Sequence, residues 1–390
     1  MPGVPKVALL VETARGYGRD VLRGIVRYAR LHGPWAFYVT PGDFEQALPK
    51  MEQWGGTGII ARVETPQVAK AILATRLPVV AMDLSEEQLT PKSPWSRVCQ
   101  MTSDSDGAAR LAAEHLKDKG FRNYAYVGIA GKVWSDRRQE SFCRHLGAAG
   151  FSPHVYQGPA RRQPQWGREQ ETMTRWLAGL PKPLGVMACN DDRGREVLEA
   201  CRTARVRIPE EVAVIGVDND ELLCELSDPP LSSITLGAER AGFEAAELLD
   251  QLMAGRPKRA TQIVARALSV VPRRSTEVVL HEDQEIAAAL RFIHDNAGQP
   301  IRVYDVVDSL SDARRTLEIR FQQVLGRSIH EEIRRTRLQR AKRLLLETDL
   351  PMAKVAKASG LGSPSYLAVL FQKELGQSPM KYRANNRNRS

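Results

Sequence analysis

One phrase occurs twice near the end of the chain, 50 positions apart, and it leaves few folds open. The copy at Thr316–Ser328 reads TLEIRFQQVLGRS; the copy at Tyr366–Ser378 reads YLAVLFQKELGQS. Leu317/Leu367, Phe321/Phe371, Gln322/Gln372, Leu325/Leu375, Gly326/Gly376 and Ser328/Ser378 coincide. Apolar residues at i, i+4 and i+8 make one stripe of an amphipathic helix, and the following Gly is where such a helix stops. Two copies are too few for a solenoid, so the pattern predicts one small helical unit used twice.

Each copy is the second half of a helix-turn-helix spacing. The first reads as a helix over Val303–Leu310, a turn at Ser311–Asp312 and a helix over Ala313–Leu325. The second reads as Ala353–Ser359, a turn at Gly360–Gly362 and Pro364–Leu375. Pro364 suits a first helical turn, where its missing N–H is not needed, and Ser363 is a good N-cap. In this motif the second helix enters the major groove. Leu317 and Phe321 then face the core, and Arg314, Arg315, Thr316 and Glu318 face the bases. Arg forks to guanine O6/N7 and Glu accepts from cytosine N4. In the second copy Ser363, Pro364, Ser365, Tyr366, Ala368 and Val369 are presented. A helix over Glu331–Thr348 joins the copies. Its length of roughly 27 Å matches two readers about one DNA turn, ~34 Å, apart. The competing reading is a helical bundle that never meets DNA.

Charge bears on this choice, with a solvated basic surface as its plainer reading. The chain of 390 residues, long enough for two or three domains, carries +10 overall. Residues 284–390 hold 19 Lys/Arg against 11 Asp/Glu, whereas residues 1–283 hold 37 against 35. The excess of +8 in the last quarter implies a polyanion there, and double-stranded DNA fits. The five cysteines are odd in number and scattered, with no C-x-x-C or Cys/His ligand spacing, so neither a metal nor another cofactor is expected. No signal segment and no apolar run of membrane-spanning length is present, so no membrane association is expected and a reducing cytoplasm is the expected setting.

Residues 6–280 alternate short apolar runs with helical patterns. Strands are expected at Val7–Val11, Ala36–Thr40, Gly58–Ala61, Val79–Met82, Tyr124–Gly128, Val155–Gln157, Gly185–Ala188 and Ala213–Gly216. Helices are expected near 19–32, 43–53, 66–75, 106–119, 136–149, 166–179, 193–203 and 238–254. Fully apolar strands alternating with helices imply parallel sheets covered on both faces. The pattern starts twice, at Val7 and at Tyr124, which predicts two lobes with a cleft between them. Polar loops at the strand C-termini should line that cleft. Residues 272–284 read as a polar linker. The expected organisation is a two-lobed α/β module over 1–271, a linker over 272–284 and an all-α double helix-turn-helix domain over 285–390.

The C-terminal phrases ARRTLEIRF (313–321), Arg337, Ala341, Leu344 and Leu345, Val355, Ala356 and Gly360, and the Ser365–Arg383 run resemble the AraC-type DNA-binding domain over about 100 residues. The first turn departs from that family's pattern: it reads Ser311-Asp312-Ala313, with Asp312 as the replacement cap. The preceding module is similar to LacI-type effector domains, which share the periplasmic sugar-binding-protein fold (type I). RGYGRDVLRGI (15–25), HLKDKGFRNYAYVG (115–128), ACNDDRG (188–194), IPEEVAVIGVDND (208–220) and PPLSSI (229–234) carry that likeness. The first strand is expected within a few residues of Met1, so the LacI-type headpiece finds no counterpart. A LacI-like sensor ahead of an AraC-type reader resembles the xylose-operon regulator family, which implies a monosaccharide effector, activation of sugar-use genes through RNA polymerase, and a homodimer.

By the same resemblance the cleft is lined by Tyr17, Arg19, Asp83, Trp134, Arg138, Asn190, Asp191, Asp218 and Asn219. Asp and Asn serve hydroxyl pairs, Arg forks to vicinal oxygens, and Trp or Tyr covers a C–H face. Each has a plainer reading: Tyr17 and Arg19 can cap the next helix or pair across lobes. A non-sugar effector such as a purine, or action as a repressor, stays open. No enzyme is expected, because nucleotide-binding, nucleophile-elbow and metalloprotease motifs are all missing.

Overall fold

The computed structural model describes residues 3–39, 48–63, 65–158, 166–256, 260–278, 284–310 and 314–387. The chain forms two compact units, Met1–Glu277 and Val278–Arg389.

The first unit holds two six-stranded sheets. Its strands are β1 (Lys6–Leu10), β2 (Ala36–Val39), β3 (Gly58–Arg62), β4 (Val79–Met82), β5 (Cys99–Ser103), β6 (Asn123–Ile129), β7 (His154–Gly158), β8 (Leu184–Ala188), β9 (Val212–Val217), β10 (Ser232–Leu236), β11 (Gln262–Ala265) and β12 (Ala267–Val271). One sheet runs β11-β5-β4-β3-β1-β2 and is parallel; the other runs β12-β10-β9-β8-β6-β7, with β12 alone antiparallel. The expected two-lobed α/β module is therefore present. Val7, Ile59, Val80 and Ala81 in one lobe and Ala125, Val186 and Val214 in the other are fully buried, as strands covered on both faces must be.

The chain passes between lobes three times, at Asp104, Gly237 and Arg266, and these passages are bonded together. Asp104 N donates to Ala265 O at 2.9 Å, Ala267 N to the Asp104 carboxylate at 3.2 Å, and Gly237 N to Arg266 O at 2.8 Å. In the first lobe helix Gly16–His32 packs against helix Ala238–Met253. Glycines make this close approach possible: a Cβ at Gly24 would stand 1.9 Å from Glu239 O, and one at Gly242 would stand 2.1 Å from Val21 O.

Four strands escape an apolar-run reading: β5, β10, β11 and β12. Strands β5 and β10 are buried but carry Thr102, Ser103, Ser232 and Ser233, whose polar groups find partners inside the fold. The start of the expected linker is also bound in. Ser275 and Thr276 are fully buried. Ser275 Oγ donates to Val214 O and accepts from Ser232 N, while Thr276 Oγ1 meets His115 Nε2 at 2.9 Å. Residues 279–283 of that stretch lie outside the described residues, as do residues 43–47 of the helix expected at 43–53; the helix found there is Met51–Trp54, and residues 48–50 are not helical.

The second unit is helical: Gln284–Asn296, Val303–Asp308, Arg314–Leu325, Ile329–Glu347, Met352–Ala358, Pro364–Leu375 and Pro379–Arg387. Ser311, Asp312 and Ala313, the expected first turn, lie outside the described residues. Two small cores form, one around Ile293, Val306, Leu317 and Phe321, the other around Leu345, Val355, Leu367 and Phe371. Helix Ile329–Glu347 serves both, with Ile333 in the first and Leu338 and Ala341 in the second. It starts in a capping box between Ser328 and Glu331, which satisfies two N–H groups that a helix start leaves open.

Candidate functional site

Both lobes place an aspartate directly after a buried strand, in a backbone conformation that few L-residues adopt. Asp83 follows β4 with φ 51°, and Asp218 follows β9 with φ 104°. Each still donates its N–H to the neighbouring strand, Asp83 to Met101 O and Asp218 to Ile234 O, both at 2.9 Å. The ladder thus holds the backbone while the positive φ re-aims the side chain at the strand's carboxyl end, where crevices of open α/β sheets lie.

Arg62, the last residue of β3, binds Asp83 at 2.8 Å and Glu12 at 3.1 Å, and its guanidinium lies 5.6 Å from the centre of the Tyr17 ring. Asp83 also accepts from Thr102 Oγ1. From the other lobe comes Arg138, 2% exposed, which donates to Cys189 O, reaches Ser103 Oγ, pairs with Asp218 and lies 5.3 Å from the Trp134 ring centre. Burial raises the Asp218 carboxyl to about 7, against the opposing pull of Arg138 and Arg62. Burial, with Asp83 adding to it, pushes the Tyr17 hydroxyl well above the usual tyrosine range. Three buried polar atoms here have no hydrogen-bond partner among the described residues: Tyr17 OH, Arg138 Nε and Asp218 Oδ1.

Of the nine residues expected in the cleft, the structure brings together Tyr17, Asp83, Trp134, Arg138 and Asp218. The others have commitments elsewhere. Asn190 caps helix Asp191–Thr203 by accepting from Arg193 N at 3.0 Å. Asp191 is buried, and its oxygens accept from Ser233 Oγ and from Asp220 N. Burial, then the charge of Asp218, raises its carboxyl well above the usual range. Asn219 accepts from Arg273 at 3.0 Å. Arg19 Nη2 donates to both Asp220 oxygens, each at 2.9 Å, which is the cross-lobe pairing left open by the sequence, and its Nη1 donates to Ala14 O at 2.9 Å. Asp220 also accepts from Gly16 N at 2.7 Å, and Arg15 pairs with Asp192 beside it. Sequence reasoning missed Glu12, Arg62 and Asp220. A signal existed for Arg62: it is the charged residue that ends the apolar run Gly58–Ala61, the same rule that finds Asp218.

In the second unit Arg314, Arg315 and Thr316 are exposed on the first reader helix, and Arg314 leans back on Glu318 at 3.0 Å. Ser363, Pro364, Ser365, Tyr366, Ala368 and Val369 are exposed on the second, where Ser363 accepts from Tyr366 N. Not every arginine here is available. Arg337 donates to Gln299 O and Ile301 O, both at 2.8 Å, and Arg340 donates to Ala358 O at 2.8 Å, so both tie the shared helix to the two halves.

A two-lobed cleft module and a double helix-turn-helix unit in one chain define a ligand-controlled transcription regulator. Residues 6–97 match the model of the XylR N-terminal domain, residues 113–276 that of the periplasmic binding protein-like domain, and residues 308–385 that of a helix-turn-helix domain. The xylose operon regulatory protein of Escherichia coli (strain K12) is 30% identical over 385 residues, covering 98% of this chain and 97% of the relative; that of Haemophilus influenzae is 30% identical over 386 residues. The solved structure of the xylose-binding transcription activator XylR matches with a TM-score of 0.63 at 28% identity, over 98% of this chain and 99% of that one. The lac repressor dimer shares the sensor fold alone, with a TM-score of 0.55 at 18% identity over 70% of this chain and 82% of that one. The chain belongs to the xylose operon regulatory protein family.

Proposed function

We propose that this protein is a xylose-responsive activator in the cytoplasm. The effector module is residues 1–271, the reader is residues 285–390, and 272–284 joins them. The carrying observation is the trio of buried, unpartnered polar atoms, Tyr17 OH, Arg138 Nε and Asp218 Oδ1. Buried polar groups are normally bonded, so three in one place call for a ligand that both donates and accepts. A pentose does this: its hydroxyls donate to Asp218, accept from Arg138 and exchange with Tyr17, and Trp134 offers an apolar face. The relatives' names carry xylose, and the solved relative is described as an activator. The readers are Arg314, Arg315, Thr316 and Glu318 in the first helix and Ser363, Pro364, Ser365, Tyr366 and Val369 in the second. A sugar that prefers one state of the sensor shifts the population of DNA-competent molecules. A homodimer on repeated sites that contacts RNA polymerase completes the reading.

The test is calorimetric titration with D-xylose, D-ribose, D-glucose and adenine. D-Xylose should bind, and Asp218→Ala and Arg138→Ala should each weaken it about tenfold or more, the worth of a charge-assisted hydrogen bond. Binding of adenine with none of a sugar would sink the xylose reading. Equal xylose affinity in both variants would remove these residues from the site.

A further inference from the structure

Each reader helix sets an apolar side chain and a glutamine on its outward face, at the same register. Leu317 and Phe321 point fully into the core. Ile319 lies midway between them, hence on the opposite face, and is 48% exposed. In the second copy Val369 lies midway between the buried Leu367 and Phe371 and is 63% exposed. The repeat aligns Ile319 with Val369, and one turn further on aligns Gln322 with Gln372, both exposed. Local preference does not explain this. Ile and Val are poorer helix formers than Leu, Lys or Glu, and a solvent face gives them nothing to pack on. One exposed apolar residue is ordinary. A β-branched one recurs at equivalent positions although their neighbours differ: Thr316 against Tyr366, Glu318 against Ala368, Arg320 against Leu370.

The chemistry of the outward face fits one base pair. Thymine alone offers a methyl group to the major groove, and adenine offers the N6/N7 pair that a carboxamide grips with two hydrogen bonds. Three residues along a helix rise about 4.5 Å, close to the ~3.4 Å step between base pairs. We infer that each reader helix carries an A·T-reading pair, Ile319 with Gln322 and Val369 with Gln372, the apolar side chain packing on a thymine methyl and the carboxamide gripping an adenine. The exposed Arg314 and Arg315 at the start of the first helix and the charge of +8 over residues 284–390 favour a nucleic acid over a protein as occupant. This inference rests on the DNA-reading assignment above.

The experiment selects duplexes from a random library with the full-length protein, with and without D-xylose, and then scans the selected duplex by replacing one thymine at a time with deoxyuridine, which lacks only the methyl. Wild type should lose about fourfold in affinity at one thymine in each half-site, the worth of one buried methyl group. Ile319→Ala should abolish the loss at one of these thymines and Val369→Ala at the other. Gln322→Ala should relax selection for adenine next to the first. A flat uridine scan in wild type, or an unchanged scan in both alanine variants, overturns the pairing while leaving DNA reading intact. Failure to enrich any duplex overturns both.

Discussion

Arg138 Nη2 and Asp218 Oδ1 stand 3.5 Å apart, an ion pair that leaves Oδ1 without a hydrogen bond. Arg62 is the second cation acting on Asp218, and Glu12 and Asp192 oppose both. Burial raises the carboxyl to about 7 from 3.8, so the protonated form prevails below that pH and the ion pair with Arg138 above it.

A raised folded pKa contributes stability that is fully present below the unfolded value and is lost as pH rises through the folded value. Between pH 5 and pH 8 the ligand-free wild type should therefore lose stability relative to Asp218→Asn. Melting curves of both proteins at each pH measure that difference. A ligand whose hydroxyls donate to the ionised carboxylate should release a proton and bind more tightly at pH 8 than at pH 6, and Asp218→Asn should flatten that trend. Parallel melting curves at both pH values would count against a raised Asp218.

Asp220 latches the lobes more firmly than its partner does. Its carboxylate accepts from both Arg19 Nη2 and the buried Gly16 N–H. Asp220→Ala strands that N–H and should cost about 2–4 kcal/mol. Arg19→Ala should cost ~1 kcal/mol or less, because the Arg19 side chain is 36% exposed. Denaturant midpoints of the two variants rank them; equal losses would contradict the latch.

Two glycines of the second unit should respond unequally to alanine. Gly376 ends its helix at φ 64° with open space around it, so Gly376→Ala should cost ~1 kcal/mol from backbone strain alone. Gly360, at φ 75°, would place a Cβ 2.1 Å from Ala297 O, where one half of the unit meets the other. Gly360→Ala should cost about 3 kcal/mol or more. Chemical denaturation followed by far-UV circular dichroism compares them.

Arg315 is exposed on the first reader helix, one residue past Arg314, which leans on Glu318. Arg315→Ala should cost about 1–3 kcal/mol on a selected duplex and less on random DNA if it forks to a guanine. Equal losses on both would reduce it to a phosphate contact, with the salt slope lowered by about one. Fluorescence anisotropy at several salt concentrations separates these outcomes.

The α/β module was legible wherever burial makes a strand wholly apolar. Val79–Met82 and helices Pro66–Thr75 and Pro364–Leu375 match the sequence reading end to end. Strands β5 and β10 escaped it because their burial is polar. In β5, Thr102 and Ser103 point at Asp83 and Arg138, and in β10, Ser232 and Ser233 bond to Ser275 and Asp191. Composition cannot tell a hydroxyl that meets a partner inside the fold from one that meets water.

The candidate site divides the same way. Asp83 and Asp218 were readable because each follows an apolar strand, and strand ends line the crevice of an open sheet. Asp191, Asn219 and Arg19 carry equally suitable chemistry, and their neighbours in sequence look no different. Their bonds to Ser233, Arg273 and Asp220 are made by residues 42, 54 and 201 positions away. The sequence by itself determined the doubled helical reader, the two lobes and the family, because periodicity and motif spacing are local properties of the chain. Tertiary structure alone decided which polar groups are already satisfied and which remain for a ligand. A hydrogen bond depends on where distant segments meet, and no local pattern records that.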